Sequence, residues 1–331
     1  MTIPDLAFDC EDTLTWHTFL VFQLPFFLTY QMAAFLVLVT GRRPFRLIFF
    51  PIPLWSAYRF VTSVKLGRGD DPRYDYWNHG NLLMVGSIIA RIWGWSITAE
   101  KYQRMKRVGH RPSVMTTLVD SFELCINTRG IGWNWGKGNY APAIPNPPTS
   151  NPWRLALSII GQIVAFDLTH VTAKYLLPLQ CGGTIFNLLL PRVQRYTLAS
   201  AISFLLGFMI YLFINTSYDL LGLIAIFVLR DSPSSWPPIF KSPWLSISLA
   251  DFWGKRWHQV FRHIFLTAAG GPLSLLFRRP GFVMGSFFAS GVVHALGVWG
   301  MGRGGDFVRD KRVARESVDI ELDCRVVQHD V

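Results

Sequence analysis

Residues 199–229 read ASAISFLLGFMIYLFINTSYDLLGLIAIFVL, a run in which Asp219 is the one charged side chain. A helix crosses the hydrocarbon core of a bilayer with about 20 predominantly apolar residues. Inside lipid, backbone amides find partners only within the helix itself. The run therefore predicts a membrane span, long enough to tilt or break. Working outward, residues 153–177 (WRLALSIIGQIVAFDLTHVTAKYLL) form a second run carrying Asp167, His170 and Lys174, and residues 281–300 (GFVMGSFFASGVVHALGVWG) a third. Upstream lie residues 16–40, residues 47–63 with two prolines that predict a kinked or re-entrant span, and residues 80–98 with Arg91 inside. The pattern predicts an all-α, polytopic transmembrane protein of about 5–7 spans.

Composition points the same way. Of the 331 residues, 50% are hydrophobic and only 16% charged, against about 25% charged in soluble domains. The 13 Trp and 26 Phe suit rings at lipid–water interfaces. The formal charge is +11, but the basic residues fall between apolar runs (GRRPFR, KYQRMKRVGHR, RRPG). They serve membrane orientation and attraction to anionic lipid or ligand better than they serve nucleic acid, and no nucleic-acid partner is expected. Counting cations favours the 101–111 segment on the cytosolic side. Cys10, Cys125, Cys181 and Cys324 are scattered, so neither a metal site nor a disulfide framework is signalled. The acidic N-terminus lacks the basic start of a signal peptide, so the first apolar run is expected to stay as a span.

Between the runs, residues 132–152 and 230–244 are rich in Gly, Pro, Asn and Ser and read as loops. Residues 301–331 hold 13 charged positions and no apolar run, so the expectation is one membrane-embedded domain over 1–300 and a disordered tail over 301–331. In SLADFWGKRWHQVFRHIF (248–265), Trp253, Trp257, Phe261 and Phe265 repeat at four-residue spacing, with Lys255, Arg256 and Arg262 mostly on other faces. That pattern predicts an interfacial amphipathic helix near 249–266. His294 sits inside an apolar run, and an ionisable group at membrane depth is a functional candidate, although a histidine bonded to a neighbouring helix would look the same. The bland reading of DFWGKRWH (251–258) is a helix anchored at the lipid surface by Trp and Arg.

Taken together, FWGKRWHQ and the His that follows in an apolar helix resemble the membrane-bound O-acyltransferase superfamily, in its wax-synthase-like branch. TRGIGWNWG (128–136) resembles a segment of fungal members that acetylate terpenoid and meroterpenoid products. The resemblance covers roughly residues 70–305. It implies that His294 is the membrane-embedded catalytic histidine and that His258 stands at the second catalytic position, where many superfamily members carry Asn. It implies acetyl-CoA as co-substrate with no cofactor or metal and a hydrophobic alcohol acceptor; the apolar runs without a cleavable signal predict an endoplasmic-reticulum membrane. It also implies further apolar spans after the histidine, where this sequence instead opens into its charged tail. The chemistry agrees: esterification needs a base for the hydroxyl proton, a donor for the oxyanion, for which His258 and Trp257 are candidates, and cations for coenzyme A phosphates, for which Lys255, Arg256 and Arg262 are candidates. Long-chain wax or sterol ester synthesis, a membrane transporter and a truncated inactive relative are the competing readings.

Overall fold

A computed structural model describes residues 12–39, 41, 43–66, 75–105, 113–136, 151–177, 185–228 and 230–301. The expected tail over 301–331, apart from Met301, and most of the 132–152 loop lie outside the described residues. The described part is helical almost throughout, as expected of an all-α membrane protein. Its helices are α1 (Trp16–Val39), α2 (Arg43–Phe49), α3 (Pro51–Ser63), α4 (Asp75–Ile97), α5 (Val114–Ile126), α6 (Pro152–Leu176) and α7 (Arg192–Val228), followed by a longer helical stretch over 262–301. Among the described residues, four helices are long and apolar enough to cross a membrane: Trp16–Val39, Trp153–Leu176, Arg192–Val228 and Arg262–Gly300. The run over 47–63 becomes two short helices that meet at Phe50.

Two units are separated by their internal contacts, one within Met1–Tyr140 and His258–Gly304, the other within Ala141–Trp257. In the first, α1 presents Tyr30, Ala33, Ala34 and Val37 on one face, against Ile92 and Trp95 of α4, Leu124 of α5, and Tyr102, Trp133 and Trp135. A second cluster joins Phe26 of α1 to Ala57 and Phe60 of α3 and Val85 of α4. In the second unit, α6 and α7 are joined by a polar cluster. Gln162 Nε2 donates to Asp219 Oδ2 at 2.8 Å, and Asn215 Nδ2 and Thr216 Oγ1 donate to Gln162 Oε1 at 2.9 and 3.0 Å. Asp167, His170 and Lys174 are exposed on α6.

The stretch from Arg262 to Gly300 is too long for one straight crossing, at roughly 1.5 Å per residue. It breaks at Arg278 (φ 52°, ψ −132°), just before Pro280. The two arms, 262–277 and 279–301, fold back on each other. Gly285 lies against the backbone of Ala269, where a Cβ would meet the Ala269 carbonyl oxygen at 2.6 Å, and Gly281 and Gly270 make equally close approaches to Leu273 and Ser286. The last expected span is therefore the return arm of a helical hairpin. Small residues let the two backbones touch, as at other membrane helix interfaces.

The amphipathic helix expected near 249–266 is corrected to two pieces. Helix runs from Leu249 to Arg256, ending in a wide π-type turn, and resumes at Arg262. Trp257 is extended (ψ 158°) and donates its backbone N–H to Phe252 O at 2.8 Å. The Arg256 carbonyl accepts from the Lys241 N–H at 2.9 Å, so the helix end is capped by a distant loop. Four-residue spacing is blind to such a tertiary cap.

Candidate active site

The hairpin register positions the two histidines. Close contact pairs residue 269 with 285 and residue 270 with 282 and 286. Continued down the arms, this register brings His294 level with the turn at 257–261, which carries His258. Burial, then the neighbouring His294 imidazole, pushes the pKa of His258 down to about 4, so His258 is neutral at cellular pH. Its ring meets Phe261 edge-on, with centroids 5.8 Å apart. The next residue, Gln259, is 5% exposed.

His294 is placed by how the return arm packs on α4. Val293, Gly297 and Gly300 are buried on one face, and His294 lies on its flank, exposed. Within the protein His294 is exposed, beside the α4 contact, at a place in the apolar stretch that the sequence puts at membrane depth. The contact is close, since a Cβ on Gly297 would lie 2.8 Å from His79 Cε1, and one on Gly86 would lie 3.0 Å from Leu296.

The predicted donor-binding residues divide between the units. Arg262 opens the first arm of the hairpin and is half-buried. Lys255, Arg256 and Trp257 belong to the second unit, where Lys255 is exposed. Arg256 is engaged within the chain: Nε bonds Asp251 Oδ2 at 2.5 Å, and Nη1 donates to the carbonyls of Lys241 and Ser242 at 3.4 Å. That guanidinium holds the Asp251 carboxyl below the usual carboxylate range. Trp257 stacks on Phe252 (5.2 Å) and meets Phe240 edge-on (5.1 Å).

The 128–136 segment is built as a rigid loop in the first unit. Asn127 Oδ1 accepts from the N–H groups of Gly130 (2.8 Å) and Ile131 (3.1 Å). Gly130 has φ +71°, which a side chain would oppose. Buried Arg91 of α4 ties the loop down. It donates to the Tyr30 hydroxyl and the Cys125 carbonyl at 3.0 Å and to the Asn127 carbonyl at 2.6 Å, and it lies over the Trp95 ring. The loop in turn lays Trp135 on His263 of the hairpin, with ring centroids 4.3 Å apart. Burial pushes the Cys125 thiol up to about 12, so it stays protonated at cellular pH. Among the described residues no group of three His, Cys, Asp or Glu is arranged to hold a metal.

Sequence reasoning missed His79. The apolar window begins at Gly80, so this histidine reads as part of a polar lead-in. Only the packing of α4 against the hairpin shows where it lies.

Residues 236–311 match the sequence profile of the membrane bound O-acyl transferase family. The chain is 24% identical over 288 residues to "Acetyltransferase eriL" of Hericium erinaceus, covering 82% of this chain and 72% of that protein. It is 28% identical over 211 residues to "O-Mevalon transferase yanI" of Aspergillus niger, covering 56% and 46% of the two chains. It is 34% identical over 67 residues to "Probable long-chain-alcohol O-fatty-acyltransferase 1" of Arabidopsis thaliana, covering 18% and 20%. The chain thus spans about half the length of the Aspergillus relative and somewhat under three quarters of the Hericium one. No solved structure matches. Profile and relatives alike make this chain similar to membrane-bound O-acyltransferases. The matched segment contains FWGKRWH and His294, the residues that carry the resemblance in the sequence.

Proposed function

We propose that this protein transfers an acetyl group from acetyl-CoA to a hydroxyl of a hydrophobic terpenoid or meroterpenoid alcohol, in the endoplasmic-reticulum membrane. The observation that carries the reading is the hairpin register, which brings His258 level with His294 inside the segment that matches the family. His294 acts as general base. It takes the acceptor hydroxyl proton as that oxygen attacks the thioester carbonyl, an effect of about 10²–10⁴-fold. The carbonyl oxygen takes negative charge and is stabilised by a donor, for which His258, neutral at cellular pH, is suited. Collapse of the intermediate breaks the C–S bond, and the coenzyme A thiolate leaves and takes up a proton. Lys255, Arg256, Arg262 and Trp257 are proposed for the acyl-CoA side, with Arg256 also bracing its own loop through Asp251. No cofactor is required beyond acetyl-CoA itself.

Acetyl as the transferred group is supported by the names of the fungal relatives. The plant relative, named for long-chain alcohols and fatty acyl groups, supports wax-ester synthesis as the second reading. The test uses microsomes containing the full chain, a panel of terpenoid and long-chain alcohols, and acetyl-CoA or palmitoyl-CoA. The expected result is alcohol-dependent coenzyme A release with acetyl-CoA, and loss of at least about 100-fold in the His294→Ala variant. Preference for palmitoyl-CoA favours the wax-ester reading, and a His294→Ala variant keeping a tenth of the turnover removes the base assignment.

A further inference from the structure

The register of α4 on the return arm brings a third imidazole to the flank of His294. Asn78 fixes the first turn of α4: its Oδ1 accepts from the Leu66 N–H at 2.8 Å and its Nδ2 donates to the Leu66 carbonyl at 3.3 Å. On the other side, a Cβ on Gly300 would lie 2.9 Å from Asn78 O, so this turn is clamped between residue 66 and the return arm. The next residue, His79, lays its ring on the backbone of Gly297, one helical turn beyond His294. The two imidazoles lie within electrostatic reach of each other. His79 Nδ1 is sealed from solvent and has no hydrogen-bond partner. A sealed polar atom without a partner is uncommon in folded proteins and calls for one. At Gly297 the neighbour that shares the contact with His79 is Leu83, and further along the same α4 contact Val293 and Leu296 lie against Gly86; all three are apolar.

We propose that His79 is an acceptor-binding residue, whose imidazole hydrogen-bonds a polar group of the alcohol while Leu83 and Leu296 meet its apolar body. The inference rests on His294 being the base of the proposed reaction. An apolar wall with one imidazole suits a hydrophobic alcohol, since ligand sites of this kind combine apolar lining with a few placed polar groups. Coenzyme A, polyanionic and water-borne, calls for cations, whereas Leu83, Val293 and Leu296 offer an apolar body.

The experiment measures acetyl transfer in microsomes carrying the full chain, with the terpenoid alcohol that wild type acetylates fastest, from a panel running from farnesol to tetracyclic triterpenols. His79→Phe keeps a ring and removes both nitrogens. It is expected to raise KM for the alcohol about tenfold, as loss of one buried hydrogen bond does, and to leave KM for acetyl-CoA within about twofold. His79→Gln restores a donor and acceptor and is expected to recover most of the loss. His79→Ala, which fits the clamped turn without crowding, repeats the measurement if the Phe variant does not accumulate, with the same expected direction. An unchanged alcohol KM in the Phe or Ala variant overturns the proposal, as does a rise confined to the acetyl-CoA KM. His294→Ala in parallel separates the two ideas. A dead His294→Ala enzyme beside wild-type behaviour at position 79 sinks only His79. A wild type that acetylates no alcohol in the panel sinks the proposed function and this inference with it.

Discussion

His258 shows how one residue's setting fixes its chemistry. A free imidazole titrates near 6.5, but burial and the His294 ring hold this one down to about 4. The unfolded chain therefore binds a proton on His258 between those two values while the native protein does not. By linkage, stability contributed at neutral pH is lost as pH falls through 6.5 towards 4. Replacing His258 with Asn, which does not titrate, should flatten part of that slope. Thermal unfolding in detergent at pH 7 and pH 4.5 measures it. An equal fall in melting temperature for wild type and His258→Asn would show that His258 is not the titrating group. The residue type and its place after FWGKRW were legible in the sequence. The depressed pKa was not, because it depends on how the turn at 257–261 is covered.

At the scale of elements, the hairpin over 262–301 turns on small residues. The backbone of Gly285 leaves no room for a side chain, and its nearest neighbours are backbone atoms of Ala269, which cannot swing away. Gly285→Ala should cost about 1–3 kcal/mol, as overpacking does. Gly291, in the same arm, has nothing within 4 Å of an added Cβ. Gly291→Ala should stabilise by roughly 0.5–1 kcal/mol, because glycine loses more backbone freedom in a helix than alanine. Melting temperatures of the two variants in detergent decide the matter, and similar effects of like sign would contradict the hairpin register. In the sequence this element read as a span over 281–300 preceded by an amphipathic helix. Apolar length was visible, but the sharp reversal at Arg278 and the helix break at Trp257 were not. Both are imposed by contacts from outside the local window, at Gly285–Ala269 and at Lys241–Arg256.

For the whole molecule, the described surface carries more apolar area than water tolerates. Phe204 and Phe213 on α7 are 73% and 63% exposed, and Leu157 on α6 is 68% exposed. Each such side chain gains about 1.5–3 kcal/mol on leaving water, so these helices find their stable surroundings in lipid. Alkaline carbonate extraction of membranes should leave the protein in the pellet. Release into the soluble fraction would contradict an integral membrane protein. Arg91 works at this scale too, since from α4 it bonds Tyr30 of α1, Cys125 of α5 and Asn127 just before the 128–136 loop, and lies over the loop's Trp135 ring.

By itself the sequence determined the membrane class and the helical architecture, and it set FWGKRWH and His294 within one family-like segment. Apolar run length, aromatic content and a short motif are properties of neighbouring residues, and lipid permits few backbone solutions for them. Only the tertiary structure decided that the last apolar stretch is a hairpin, that Arg256 is held by Asp251, and that His79 joins His294. These depend on which backbones approach closely, and His79 meets Gly297 only because glycines let α4 and the return arm touch. Such contacts link residues far apart in the chain, where no local periodicity records them.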